Sequence, residues 1–255
     1  AEWVLCVRTY GRSGLEGAEE GGGSGPPRGG IRQLTLRFLE QCDFLRRAEL
    51  LRRVHVFVSH EDPHFTSGRY EAALGPRWAG RLVVGLRGAD LQTRFIEECF
   101  CRGQHVVVCD DNLLWVRAVA SRYAFRELRR RPCELAALFR RAGAEMGRRG
   151  AHLWGISPTS NLRFMKPAEG LLRVRTSLGL VYGALFGFIC CHEAELYTQF
   201  GQVKDDVERT LRYWHRDRLV LRFTSYACAK RHRPGAFRRK KGGISAGLDR
   251  EAHRA

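Results

Sequence analysis

The chain has 255 residues, enough for one large domain or two small ones, and its 44% hydrophobic content excludes a wholly disordered polymer. Its 44 Lys and Arg outnumber 27 Asp and Glu for a net charge of +17, which favours polyanionic partners (nucleic acid, phosphorylated ligands, an acidic membrane surface), although a plain bias toward Arg, Gly and Ala gives the same figure. Nine cysteines, an odd count set in or beside apolar runs as at Cys6, Cys109 and Cys190, argue against a disulfide framework and for reduced thiols in an intracellular, reducing compartment, the nucleus in a eukaryote.

In chain order, WVLCV (3–7) reads as a short buried strand followed by the loop RTYGR. SGLEGAEEGGGSGPPRGG (13–30) is low-complexity and reads as an exposed, flexible insertion. Ile31, Leu34, Phe38, Cys42 and Leu45 recur at helical spacing and predict an amphipathic helix over 31–47. VHVFVS (54–59) and RLVVGL (81–86) read as the second and third strands, Leu91, Phe95 and Cys99 mark a helix, and HVVVC (105–109) reads as a fourth strand. Alternating strands and helices with continuous apolar strands predict a mostly parallel sheet flanked by helices. In such sheets ligands gather at the carboxyl ends of the strands. Arg8–Arg12, Glu61–Asp62, Gly85–Gly88 and Asp110–Asn112 all fall there.

The second half is more mixed. Helices are predicted at 133–148 and, from Val207, Leu211 and Trp214, at 205–215; two strands are predicted near 171–190 and another at 219–227. The longest apolar run, LGLVYGALFGFICC, has 14 residues and is glycine-rich, so no membrane span is expected. No signal peptide shows; the chain opens without Met inside a strand and reads as a fragment.

Two adjacent carboxylates at the end of a buried strand, Asp110 and Asp111, repel each other and resist burial. A divalent cation such as Mg²⁺ or Mn²⁺ shared with substrate phosphates removes that penalty. An acidic turn capping the next segment uses the same letters. Asp205 and Asp206 precede a helix, where they suit its dipole or supply a general base. The glycines and Arg94 of VVGLRGADLQTRF form either an ordinary connection or a phosphate- or sugar-facing loop. The run AKRHRPGAFRRKKGGISAG (229–247) reads as a solvated tail or as a loop that closes on phosphate or nucleic acid, with His232 as a candidate metal or phosphate ligand. No GxxxxGK[ST], HExxH, GxSxG or paired CxxC occurs, and ECFC and CCH lack zinc-site spacing.

VLCVRTYGR, VVVCDDN and DDVE, in this order, resemble the opening strand and nucleotide loop, the acidic metal motif and the later base-bearing motif of GT-A type nucleotide-sugar glycosyltransferases. More narrowly, VVGLRGADLQTRFIEECF, LWGISPTSNLRFMK, TSLGLVYGALFGFI, the stretch from DDVERTLRYW to RHRPG, and KKGGISA resemble the glycosyltransferases associated with TET and J-binding-protein type DNA dioxygenases. The resemblance spans nearly the whole chain except 13–30. It implies a single GT-A-like (Rossmann-like) α/β domain over 1–255: a nucleotide-sugar half at 1–112, an acceptor half at 113–228 and a basic tail at 229–255. It implies a UDP-sugar donor, glucose being the expected sugar, a divalent metal (Mn or Mg) and a hydroxymethylated pyrimidine in DNA as acceptor. Thr9, Tyr10 and Arg12 would lie at the nucleotide, with Glu61, Arg94, Lys240 and Lys241 as further donor-binding candidates. Asp110 would face the ribose or metal, Asp111 and Asn112 the metal and diphosphate, and Asn161 the sugar or acceptor pocket. Asp206 would be the catalytic base, with Asp205 as alternative. The family usually has Asp where Asn112 stands, so metal binding rests on an uncharged amide oxygen there. A protein, glycan or RNA acceptor, or a non-catalytic nucleic-acid-binding module, fits the same pieces.

Overall fold

The computed structural model describes residues 2–11, 31, 34–131, 133–165, 167, 173–201 and 204–231. The first strand, β1 (Trp3–Arg8), precedes the short helices α1 (Thr35–Gln41) and α2 (Ala48–Leu51). Then come β2 (Val54–Ser59), α3 (Pro63–Thr66), α4 (Arg69–Leu74), β3 (Leu82–Gly85), α5 (Ala89–Glu98) and β4 (His105–Asp110). The second half holds β5 (Leu113–Ser121), β6 (Ala124–Glu127), α6 (Glu134–Arg149), β7 (Leu153–Ser157), β8 (Val174–Arg175), β9 (Leu185–Ile189), α7 (Asp205–Asp217) and β10 (Leu221–Lys230).

The described strands form one sheet in the order β3-β2-β1-β4-β9-β7-β10-β5-β6, with β8 paired to β10. β3, β2, β1 and β4 run parallel, as their continuous apolar sequences require. β9 enters antiparallel between β4 and β7, and β10 lies parallel to β7. The fold class is therefore the expected mixed α/β sheet flanked by helices, with its parallel character concentrated in the first half.

Side-chain alternation divides the core between the two faces. Leu5, Val7, Val56, Val107 and Cys109 face a cluster with Phe38, Tyr70 and Phe139 from α1, α4 and α6. Cys6, Phe57, Val106 and Val108 face the other cluster, where Ile96 of α5 and Tyr213 of α7 pack on Phe186 and Phe188. A Cβ at Gly85 would meet Gln92 Oε1 at 2.5 Å and Phe95 at 2.6 Å, so only glycine lets α5 sit this close to the end of β3. Gly88 then starts α5 at φ 104°, in the region that favours glycine.

Three expectations are corrected. The helix foreseen over 31–47 is only the seven-residue α1, which ends at Gln41 just before Asp43 adopts φ 64°, and α2 starts beyond that span at Ala48. In α7 the apolar positions Val207 and Leu211 are 40% and 50% exposed, and the buried residues are Arg209, Thr210 and Tyr213. The basic segment placed from 229 starts inside β10, which continues to Lys230.

Candidate functional site at the carboxyl edge of the sheet

β7 and β10 run in the same sense as β1 and β4, and β5 and β9 run opposite. One edge of the sheet thus collects the ends of β1, β2, β4 and β10 and the starts of β5 and β9. Asp110 sits at its centre. Its Oδ1 accepts from Arg8 Nη2 and its Oδ2 from Lys230 Nζ, each at 2.8 Å. Arg8 also donates to the carbonyls of Ala89 and Gly183 and to the Thr93 hydroxyl. Burial pushes the Asp110 carboxyl up, but Arg8 and Lys230 overcome it and hold the group below its usual range. Asp110 is ionised with both oxygens occupied.

Asp111 turns the other way. Its Oδ2 accepts from the Thr9 hydroxyl at 2.8 Å. Thr9 Oγ1 lies 3.1 Å from the Tyr70 hydroxyl, which donates to Asp62 Oδ2, and Asp62 Oδ2 also accepts from Gly11 N at 2.7 Å. This chain of contacts fastens the loop after β1 to the acidic triplet. Tyr10 is 42% exposed beside it, with the Arg87 guanidinium 5.6 Å from its ring centre. Glu61 reaches the same spot through Arg87, at 3.1 Å.

Asn112 is 8% exposed. Its Nδ2 donates to the Arg231 carbonyl at 2.9 Å, and Arg231 N donates to the Asn112 carbonyl at 2.8 Å. Its Oδ1 is buried with no hydrogen-bond partner. An orphaned amide oxygen next to a carboxylate is a hard oxygen pair of the kind Mg²⁺ or Mn²⁺ shares with phosphates, so Asp111 and Asn112 fit such a cation. Among the described residues no three His, Cys, Asp or Glu side chains form a protein-only metal cage.

The N-terminus of α7 completes the edge. Asp205 Oδ2 accepts from Arg209 Nη1 at 3.0 Å. Arg209 is 3% exposed, lies 3.8 Å from the centre of the Phe186 ring, and leaves Nε and Nη2 without partners. Burial, with repulsion from Arg8, pulls its pKa down, against the attraction of Asp205 and Asp206. Thr210 fastens the helix by donating to the Asp206 carbonyl and accepting from Val181 N. A Cβ at Gly183 would lie 3.5 Å from Asp206 Cβ, so Asp206 borders the loop that receives Arg8. Asp206 Oδ1 accepts from Val207 N, and among the described residues Asp206 has no cationic partner.

The structure thus gathers Thr9, Asp110, Asp111, Asn112, Asp205 and Asp206 at one edge, with Tyr10 and Glu61 on its rim. Arg94 is not brought to Asp110; it pairs with Glu98 at 2.8 Å and lies 5.0 Å from the Tyr197 ring. Asn161 folds its side chain onto Arg163 N in an exposed turn. Arg12, His232, Lys240 and Lys241 lie outside the described residues. Sequence reasoning missed Lys230 and Arg209. Lys230 was visible as a cation ending an apolar strand, and Arg209 as a cation one helical turn after Asp205.

The chain is a mixed α/β protein with its polar residues collected at the carboxyl edge. Among solved structures it is similar to S. aureus TarS 1-349, at 11% identity and a TM-score of 0.48, over 89% of this chain and 59% of that one. It matches no family profile and no curated protein sequence. At this degree of likeness, function has to be argued from the side chains.

Proposed function

We propose that this chain transfers a glycosyl unit from a nucleoside diphosphate sugar to an acceptor hydroxyl. The observation that carries the reading is the convergence, on one sheet edge, of an exposed aromatic face, a largely buried cation pair and a carboxylate with no cationic partner among the described residues. Tyr10, backed by Arg87, offers a ring on which a nucleobase stacks. Asp110, kept ionised, fixes Arg8 and Lys230 beside the place where negative charge collects as the bond from sugar C1 to diphosphate breaks. Asp111 and Asn112 would hold a divalent cation, which when bound neutralises the diphosphate leaving group.

Asp206 takes the proton of the acceptor hydroxyl as its oxygen bonds to C1 and the diphosphate departs. Asp205 is committed to Arg209, and this supports Asp206 as the base. Both positions lie in the first turn of α7, so the pairing, not the spacing, separates their roles.

The specific form of the reading has UDP-glucose as donor and a hydroxymethylated pyrimidine in DNA as acceptor. The charge of +17 supports a polyanionic acceptor with salt-sensitive affinity, and a base in a duplex would be extruded to reach the edge. The test is incubation with UDP-sugars, Mn²⁺ and DNA carrying 5-hydroxymethyluracil or 5-hydroxymethylcytosine. Glycosylated nucleoside by mass spectrometry is expected. Sugar transfer or UDP-sugar hydrolysis that DNA does not stimulate removes the DNA acceptor, and DNA binding without UDP-sugar binding removes the enzyme.

A further inference from the structure

We infer that the chain carries a second binding surface, an arginine-lined groove at the opposite edge of the sheet that takes the phosphate backbone of a nucleic-acid duplex. It lies outside the candidate site and does not depend on the donor chemistry proposed above.

Position comes first. Trp3 opens β1 and Arg8 closes it beside Asp110, so the start of that strand is roughly 17 Å from the acidic edge. There, between α2 and α6, the surface is hollowed into a groove of about 680 Å³. Arg47, Arg53 and Arg140 line it, with Glu2, Glu49 and Cys133. Trp3 forms part of its wall, 3% exposed and with the Arg53 guanidinium 5.3 Å from its ring centre.

Charge comes next. The two segments that frame the groove, 43–53 and 128–149, hold eleven arginines, four acids and no lysine. The acids are largely spent within this face. Glu2 holds Arg53 at 2.9 Å, Glu134 holds Arg126 at 2.8 Å, and Glu145 is shared by Arg148 and Arg149. Arg47 lies 3.8 Å from Asp43, a long contact at a half-exposed side chain. Among the described residues the side chains of Arg46, Arg52, Arg131 and Arg140 make no hydrogen bond or ion pair, and all four are exposed. Several guanidinium groups therefore surround the groove with their donors directed to solvent.

The character of the face selects the partner. A membrane-binding surface adds apolar side chains that insert among the lipids, and a single-strand-binding surface adds aromatic rings that stack on bases. Among the described residues no exposed large apolar or aromatic side chain falls within 43–53 or 128–149. Every cation there is arginine, whose planar fork takes two phosphate oxygens at once. Guanidinium groups around a groove, with nothing to read or stack on a base, suit a duplex backbone held without regard to sequence. At this distance from Asp206 the groove holds a polymer and leaves the chemistry of a single nucleotide untouched.

The test is fluorescence anisotropy with an unmodified DNA duplex of about 20 base pairs across a salt series. Wild type is compared with Arg47→Gln/Arg52→Gln/Arg140→Gln and with a control of equal charge, Arg122→Gln/Arg163→Gln/Arg175→Gln, whose three arginines are exposed in the second half of the sheet. The groove variant is expected to bind roughly tenfold or more weakly, with the slope of log affinity against log salt smaller by about 2–3, and the control to stay close to wild type. No duplex binding by wild type, a groove variant that binds like wild type, or equal losses in both variants overturns the inference. Groove-dependent binding to phosphatidylserine vesicles with duplex binding unchanged overturns it in favour of a membrane. UDP affinity should be the same in wild type and the groove variant; a wild type that binds duplex through the groove but no UDP keeps this inference and sinks the nucleotide-sugar reading. Should the groove variant fail to fold, hydrogen exchange on wild type decides: duplex must slow exchange in 46–53 and 133–140, and unchanged exchange there refutes the groove.

Discussion

Replacing Asp110 by Asn removes the one charge that two buried cations share. Asn keeps the volume and one acceptor oxygen. Its amide nitrogen, however, turns a donor toward either Arg8 Nη2 or Lys230 Nζ, each now 2.8 Å from a carboxylate oxygen. The side chains of Arg8, Lys230 and Asp110 are only 10%, 20% and 22% exposed, so water replaces little of what is lost. Breaking a buried pair on one side costs about 3–5 kcal/mol, against a total stability of about 5–15 kcal/mol for a typical domain. Urea unfolding followed by tryptophan fluorescence should show Asp110→Asn less stable by that amount at pH 7. The pH dependence has a definite sign. The folded Asp110 carboxyl lies below its ordinary 3.8, so its stabilisation is complete above that value and fades as pH falls through the folded pKa. Wild type and variant should therefore converge on acidification. A loss under about 1 kcal/mol at pH 7, or a gap that widens in acid, would refute the account of Asp110 as a shared buried counter-charge.

Asp206→Asn should lower transfer about 100-fold or more while leaving UDP affinity unchanged, measured by steady-state kinetics beside calorimetry; near wild-type transfer dismisses Asp206 as the base. Asp205→Asn should act on stability instead, because it strands the buried Arg209 guanidinium, and its thermal midpoint should fall. Asn112→Asp restores a third acid to the motif but removes the Nδ2–H donor to the Arg231 carbonyl, so it should cost about 1–3 kcal/mol in denaturant unfolding; a stabilised variant would contradict this. His105 is buried and accepts from Trp154 Nε1 at 2.9 Å, and burial drops its pKa from 6.5 to about 3. The unfolded chain takes up that proton first, so stability should fall by about 1.4 kcal/mol per pH unit from 6.5 toward 3. His105→Gln, which keeps an acceptor for Trp154, should remove that slope in urea titrations at pH 7 and pH 5.

The parallel half of the sheet was readable because burial on both faces writes itself as unbroken apolar runs, VHVFVS and HVVVC among them. The position of the acidic triplet followed from those runs alone. The hairpin of β5 and β6 was not anticipated. It holds Trp115 and Arg117 among its apolar residues, and its partner β10 lies more than a hundred residues away in sequence. Missing that pairing hid the role of Lys230, which joins the site only because β10 reaches β5. The inner face of α7 was misjudged for a related reason. Arg209 is buried by Phe186 and Asp205, which tertiary contact alone supplies, while Val207 and Leu211 are left at the surface. A helical apolar stripe reports burial only when no buried ion pair competes for the same face.

Phe186 has two guanidinium groups near one ring: Arg209 at 3.8 Å and Arg8 at 5.7 Å from its centre. The ring is a polarisable partition between like charges, as well as a piece of core. Through it the pairs Arg8–Asp110 and Arg209–Asp205 form one thermodynamic unit reaching from β1 across β9 to α7. Energies of substitutions in the two pairs should fail to add, and the shortfall would measure how strongly the donor-side cations sense the helix that presents Asp206.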